Sequence, residues 1–524
     1  MPNTTVAGAA KGGIANILQR DNIDYLMELT ANYTKDFGNH SLTALVGYSY
    51  QQFNQESVYA GNEDFSTDGF LYNNLQAGAG TKPYVNSSAR KSALGSYFAR
   101  ANYSYLGKYL LTVTVRADGE SNFHPDYRWG YFPSVSAGWR FSDEEFMKPL
   151  SSILSNGKLR ASYGQTGNSN IGNYMTDSYG VVSGWVFGND GYMGTAITKR
   201  GNKKLTWETT SEFNIGLDLG FFDNRISLSM EYYNRIISDL LASNKSLPAY
   251  NEINTIAANI GKTQGRGFEL TLSTVNIMNK DWTWSTDFTF YTFKDNWYER
   301  DPNWKPAAYE SKKDPIRSYY SYVSDGLLQV GEKAPAWQPT LVPGQIKLKN
   351  LYDTGTSPNV LDQYDKVNLG SQDPKCTLGL NNTLRYKNLD FNIYFYGEIG
   401  RLRGASYYDA WIVGLGNSLT NVSQQSLHSY TNANQNTTVP NLIESAYDFG
   451  DYYHKKINYL RCRNITLGYT IPVSKSIANS VRISANVSNP FVFTNWNGVD
   501  PETDTGNFSY PNVTSFSFGI DISF

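Results

Sequence analysis

Two cysteines in 524 residues, Cys376 and Cys462, exclude a disulfide framework, and neither stands in a metal-ligand spacing. Histidine is as scarce: His40, His124, His428 and His454 are widely separated, with no nucleophile elbow or metal-binding helix beside them. The sequence therefore offers no catalytic residue, no metal site and no cofactor site, and we do not read it as an enzyme. Neither sign of charge dominates, with 45 basic against 47 acidic residues, so no nucleic-acid footprint is expected. No run reaches the roughly 18 apolar residues of a membrane helix. Any membrane span must be made of strands. Residues 1–20 also lack the basic start and apolar core of a signal peptide.

What is abundant is aromatic: 40 Tyr, 26 Phe and 11 Trp. A tyrosine excess suits surfaces that meet water and an apolar phase together, as in membrane aromatic girdles. It would equally suit faces that stack on carbohydrate. The last ten residues sharpen the question. Phe516, Phe518, Ile520, Ile522 and Phe524 fall on one parity, and Ser515, Ser517, Gly519, Asp521 and Ser523 on the other. That period of two fits a barrel wall between lipid and water, or a half-buried strand of a soluble sandwich. Repetition along the chain decides between them.

Similar segments recur. Tyr25, Met27, Leu29, Ala31 and Tyr33 share a face, then Leu42, Ala44, Val46, Tyr48 and Tyr50 after a turn at 36–39. Tyr97, Ala99 and Ala101 lead through Leu106-Gly107-Lys108 to Leu111, Val113 and Val115. Further segments centre on 135–141, 159–163, 213–219, 226–232, 268–272, 282–290, 378–380, 389–395, 465–469 and 481–487. Residues 142–155 read as one helical excursion, with Ser142 and Glu145 in capping-box spacing. We count fifteen segments, with short turns alternating with long connections near 52–90, 167–205, 237–265, 295–373, 399–456 and 490–512. Short turns at one end and long loops at the other mark an outer-membrane barrel. A soluble sandwich does not sort its loops so regularly.

Charge follows the parity. Arg100, Arg116, Arg140, Arg160, Asp218, Glu231, Glu269, Asp287 and Asp390 all lie opposite the apolar residues. A charge at the lipid midplane costs about 2–4 kcal/mol, so the uncharged parity should face lipid. Arg461 and Arg463 are the misfit, since they share the parity of Ile465 and Leu467. Either they lie above the hydrocarbon, or a bulge reverses the parity there. Fifteen is odd, whereas bacterial single-chain barrels have even strand numbers. The expected fold is therefore all-β, a transmembrane antiparallel β-barrel contributing about 15 strands of an expected 22, with the N-terminal plug absent from this chain. Residues 1–22 are expected to be the remnant of an extracellular loop, and 23–524 the C-terminal part of the barrel.

Several stretches resemble one family, the SusC/RagA-type TonB-linked (TonB-dependent) outer-membrane transporters. They are Arg116-Ala117-Asp118-Gly119-Glu120-Ser121-Asn122-Phe123, the run Arg128 to Arg140 (RWGYFPSVSAGWR), and Leu159 to Asn168 (LRASYGQTGN). Tyr459 to Tyr469 (YLRCRNITLGY) and Gly498-Val499-Asp500-Pro501-Glu502 with the Phe-ended strand complete the set. The resemblance implies import of oligosaccharides, or of peptides, across the outer membrane of a Gram-negative, Bacteroidetes-like cell. It implies a SusD-like surface lipoprotein as partner and the TonB complex acting through a plug not present here. Lipid and lipopolysaccharide would surround the wall, and Phe524 would be the C-terminal assembly signal. Candidate substrate contacts are the long-loop aromatics Trp185, Trp297, Trp304, Trp337, Tyr407, Tyr408 and Trp411. Trp129 and Trp139 read as girdle or loop-packing aromatics. Asp118 and Glu120 read as loop-base acceptors, and the alternating acids from Asp500 to Asp504 as a solvated turn rather than a calcium loop. Two other readings stay open: a truncated, non-transporting barrel or adhesin-like surface protein, and a soluble carbohydrate-binding β-protein.

Overall fold

Alternating residues become strands, and each strand of the principal sheet pairs with the next in chain order. The computed structural model describes residues 1–80, 83–187, 190–248, 250–251, 253–352, 359–404, 424–441, 449–473, 479–496, 500–503 and 510–524. In order, the strands are β1 (Ile14–Phe37), β2 (His40–Glu63), β3 (Tyr84–Tyr105), β4 (Tyr109–Glu120), β5 (Trp129–Arg140), β6 (Leu154–Asn168), β7 (Tyr179–Phe187) and β8 (Asp190–Lys199). Next come β9 (Glu208–Phe221), β10 (Ile226–Ser246), β11 (Thr255–Met278), β12 (Trp282–Glu299), β13 (Ser318–Ser321), β14 (Ser324–Leu327), β15 (Ile346–Leu348) and β16 (Val367–Ser371). The last are β17 (Cys376–Tyr386), β18 (Leu389–Arg403), β19 (Lys455–Ile471), β20 (Ser480–Thr494) and β21 (Ser515–Ser523). Among the described residues, fifteen form one sheet, ordered β1-β2-β3-β4-β5-β6-β9-β10-β11-β12-β17-β18-β19-β20-β21. The pairs β7–β8, β13–β16 and β14–β15 stand apart in the connections. The sheet has the fifteen strands that the alternation implies.

By compactness the chain divides into two units. The first is Met1–Ala137, Tyr163–Ser211 and Ile237–Ile260; the second is Gly138–Ser162, Glu212–Ile236 and Gly261–Phe524. The first holds a buried cluster of Phe123, Phe132, Ile171, Leu205, Trp207 and Ala257. The second holds two: Leu327, Ile346, Leu348 and Tyr430 in one, and Ile457, Tyr459 and Trp496 in the other.

Apolar side chains are the exposed ones on the sheet. Leu111, Val113 and Val115 on β4, Phe213 and Ile215 on β9, Leu467 and Tyr469 on β19, and Phe516, Phe518, Ile520 and Ile522 on β21 all lie open. Water would not tolerate so large an apolar face on a soluble chain. It is a lipid-facing wall. Trp129, stacked on Tyr97 at 6.0 Å, and Trp139, whose indole N–H donates to Glu144 at 3.2 Å, are half-open aromatics at its margins.

The opposite face carries paired charges, and glycines let those pairs form across an intervening strand. Arg160 on β6 reaches Asp218 on β9 at 2.7 Å and Glu231 on β10 at 2.5 Å. A Cβ at Gly216 would stand 2.8 Å from its guanidinium carbon. Likewise Arg482 on β20 pairs with Asp390 on β18 at 2.6 Å across β19, and a Cβ at Gly468 would lie 2.3 Å from Arg482 Nη2. Gly468→Val is therefore expected to cost about 1–3 kcal/mol, an overpacking loss. The measurement is the temperature at which heat-modifiable gel migration is lost. In an Arg482→Ala background part of that loss should vanish, because one displaced group is gone while the Asp390 carboxylate, 2.6 Å from the same Cβ, remains. Equal losses in both backgrounds would refute the bridging role.

Arg461 and Arg463 are reconciled by a bulge. Tyr394 pairs with Asn464 but Phe395 with Cys462, so Arg463 is an extra residue on β19 against β18. The slip turns Arg461 to the face of its partner Tyr396, away from lipid. Of the two explanations open in the sequence, the parity reversal is the one observed.

Element boundaries moved most. β1 begins at Ile14, nine residues before 23, and β2 continues to Glu63 while β3 starts at Tyr84. The connections expected at 52–90 and 237–265 shrink to 64–83 and 247–254. β1, β2 and β11 run 24 residues each, where about 9–11 span the hydrocarbon. The excursion after β5 is two 3-10 turns, Phe141–Asp143 and Glu145–Leu150, whose preceding residues Arg140 and Glu144 make no side-chain capping bond. Ser142 binds its neighbour Asp143 instead of capping. Pro149 and the shortness of the segment favour that tighter helix.

Candidate functional site

The described residues of the long connections in the second unit include a buried core of their own. Leu327, Ile346, Leu348 and Tyr430 are buried together where β14 pairs with β15. The fully buried Gln338 accepts from the Leu348 amide at 2.7 Å. Asp365, also fully buried, accepts from the amides of Leu351 (2.6 Å), Tyr352 (3.1 Å) and Asp362 (2.9 Å). A carboxylate with three backbone donors closes a loop as firmly as an N-cap closes a helix. Tyr320 donates its hydroxyl to Asp314. Burial, and then that hydrogen bond, push this phenol up to about 12, so it stays a donor through physiological pH. Lys347 holds the Glu332 carboxyl below the usual carboxylate range through a side-chain hydrogen bond.

Within this scaffold two candidate aromatics meet. Trp297 lies near the end of β12, and its parity is that of Asp287, Tyr291 and Asp295, the polar face. Register is regular from Asn296 back to Ser285; the bulge at Tyr298 comes after Trp297. Trp304 follows on a turn, in which its amide donates to the Asp301 carbonyl at 2.8 Å and the Asn303 amide to the Asp301 carboxylate at 2.7 Å. Between the indoles lies Arg300, its guanidinium carbon 4.7 Å from the Trp297 ring and 4.2 Å from the Trp304 ring. Such stacking fixes the guanidinium plane and leaves its in-plane N–H edge to choose a partner. Elsewhere in the connection after β12, the Lys366 ammonium lies 5.0 Å from Tyr322 and 5.7 Å from Tyr309.

The other candidates fall differently. Trp337 donates its indole N–H to the Leu348 carbonyl at 2.8 Å and braces the loop core. Trp185 lies on β7 opposite Tyr192, in a two-stranded sheet separate from the one that holds Trp297. Tyr407, Tyr408 and Trp411 lie outside the described residues. Phe524 follows β21 and is 87% exposed.

A second constellation pins the connection after β20. Arg461 donates to Asp500 at 2.9 Å and to Glu502 at 2.8 Å, and Arg463 to Glu502 at 2.7 Å. Asp500 and Glu502 therefore serve arginines; Asp504 lies outside the described residues. Among the described residues no cluster of three or more His, Cys, Asp or Glu side chains has metal-binding geometry. Asp118 accepts from Arg116 at 2.8 Å, and Glu120 from the Asn122 amide at 3.1 Å, both as local acceptors at the loop base. Sequence reasoning passed over Arg300 and Lys366, whose only signal is the cation beside clustered aromatics. It also left the acids at 500 and 502 unpaired, because their partners lie about 40 residues upstream.

Comparison with known proteins gives the same architecture. Residues 3–489 match the family model described as TonB dependent receptor-like, beta-barrel. TonB-dependent receptor P3 of Formosa agariphila is 32% identical over 100% of this chain and 54% of its own length. TonB-dependent receptor SusC of Bacteroides thetaiotaomicron is 29% identical over 96% of this chain and 50% of its own. The chain thus spans about half the length of the curated relatives it matches. Among solved structures, that of the RagAB peptide transporter superimposes with a TM-score of 0.84 at 25% identity, covering 100% of this chain and 58% of that one.

Proposed function

The chain belongs to the TonB-dependent receptor β-barrel family, in its SusC/RagA type, and from that premise we propose that it forms the barrel part of an outer-membrane importer of oligosaccharides. The observation that carries this reading is the family match over residues 3–489, on a sheet whose exposed face is apolar. A soluble carbohydrate-binding protein has no use for that face. In the proposal, a SusD-like lipoprotein meets the long-loop side in a Bacteroidetes-like outer membrane, and the TonB complex supplies energy through a plug segment. Cargo touches the loop aromatics, with Trp297 and Trp304 the best supported because Trp297 is on the polar parity of β12 and Trp304 shares the Arg300 guanidinium with it. Phe524 acts as the assembly signal. Peptides are the second cargo reading, supported by the likeness to RagAB.

Deleting the gene is expected to abolish uptake of labelled oligosaccharides by intact cells, and inactivating TonB should have the same effect. Loss of peptide uptake alone would move the cargo to peptides. Unchanged uptake of both would favour a non-transporting barrel.

A further inference from the structure

Among the described residues, no carboxylate pairs with Arg300. Its guanidinium carbon lies 4.7 Å from the Trp297 ring and 4.2 Å from the Trp304 ring. Of its five N–H donors, one makes a long bond, Nη2 to the Ser311 carbonyl at 3.4 Å, and the buried Nε has no partner. By contrast Arg116, Arg160, Arg317, Arg401, Arg461 and Arg482 each pair with a carboxylate. Carboxylates are at hand on the same loop, but they are directed elsewhere. Asp301 accepts from Asn303, Glu310 from the Ala307 amide at 3.0 Å, and Asp314 from the Ser311 amide and Tyr320. The loop builds a guanidinium site and leaves its counter-ion out.

We propose that Arg300, clamped between Trp297 and Trp304, is a carboxylate subsite that selects uronate-bearing oligosaccharides. This rests on the oligosaccharide reading above and narrows it to acidic chains. A guanidinium edge meets a carboxylate in a two-point, planar arrangement, which a point charge does not reproduce. Sugar rings stack through their C–H faces on indole, so the indole surface that the guanidinium does not cover suits a ring that carries the acid. Lys305, Lys312 and Lys313 are exposed on the same loop, and their charges continue the positive character along a chain with repeated carboxylates. A neutral sugar would leave the guanidinium unmatched, which is the basis of discrimination by an unpaired polar group. The location fits. Trp297 lies well over a span's length of about 9–11 residues beyond the turn that precedes Trp282, on the polar parity.

The test uses the full-length receptor, purified in detergent, with tetragalacturonate and its fully methyl-esterified form as probes in titration calorimetry. Wild type should bind the acid at least about tenfold more tightly than the ester. Arg300→Gln should remove most of that preference, weakening acid binding about tenfold more than ester binding, and Arg300→Lys should fall between. Unaltered heat-modifiable migration of both variants separates ligand contact from loop bracing. Equal binding of acid and ester, no binding of the acid by wild type, or equal competition by tetraglutamate would overturn the inference. So would an Arg300→Gln protein that binds acid normally. If wild type still binds neutral oligosaccharides, only this inference falls; if it binds no saccharide, acidic or neutral, the oligosaccharide reading falls with it.

Discussion

Asp500→Ala is expected to lower stability by about 3–5 kcal/mol, the range for stripping one partner from a buried ion pair. Arg461 and Asp500 have side chains only 4% exposed, so water cannot replace what is lost. One carboxylate does several jobs. Oδ2 takes the Arg461 guanidinium at 2.9 Å and the Asn512 amide at 3.1 Å. Oδ1 takes the amides of Glu502 at 2.8 Å and Thr503 at 3.3 Å. Alanine would leave a half-paired buried guanidinium and three freed amides, so the connection after β20 should detach from β19. Asp500→Asn keeps the shape but removes the charge, and should cost less than alanine. The double change Arg461→Met with Asp500→Leu should cost less than Asp500→Ala alone, since no buried charge is left unpaired. The readout is the temperature at which heat-modifiable migration is lost, with proteolysis near residue 500 as a local probe. A loss under about 1 kcal/mol for alanine would mean that the site is wet and the network unimportant.

Strand number and lipid face were legible because hydrocarbon enforces a strict rule: apolar on one parity, few charges there, period two. Beyond the hydrocarbon that rule lapses. In the far half of the β1–β2 hairpin, Arg20, Asp21, Asn22 and Asp24 oppose Ser57, Glu56, Gln55 and Phe53, with almost no apolar alternation to mark a strand. Backbone pairing nevertheless continues, since both chains already run side by side. Hence β1, β2, β10 and β11 were under-read at that end. Arg461 and Arg463 failed for another reason: one bulged residue inverts a parity argument without changing composition. At the candidate site the aromatic residues were visible as types, but their roles were not. Trp337 proved to be a brace and Trp297 part of a clamp. That difference lies in what stands next to each ring, and the ring's own position in the sequence carries none of it.

Trp207→Ala is expected to cost about 3–5 kcal/mol, as for a large aromatic removed from a core that cannot collapse around the void. Trp207 is 6% exposed and sits between Phe123 and Phe132, with ring centroids 5.5 and 5.4 Å away in tilted and edge-on geometry. Leu205, 0% exposed, and Ala257, 2% exposed, close the cluster with Ile171. The indole N–H donates to the Arg128 carbonyl at 2.8 Å, so the ring also ties the connection before β5 to the segment before β9. Phe123 ends the Arg116-to-Phe123 stretch, which explains why a phenylalanine is wanted there: it is a core residue held on a loop. Trp207→Phe should keep most of the packing and lose the hydrogen bond, costing about 1–3 kcal/mol if the carbonyl is left dry. Alanine should in addition open the connections at 121–128 and 169–207 to protease, while the spanning strands stay protected. The apolar face of β4 packs on lipid rather than on this cluster, so band-shift behaviour should persist at low temperature and fail earlier on heating. If Trp207→Ala melts with wild type and resists protease equally, the cluster is not what holds these loops.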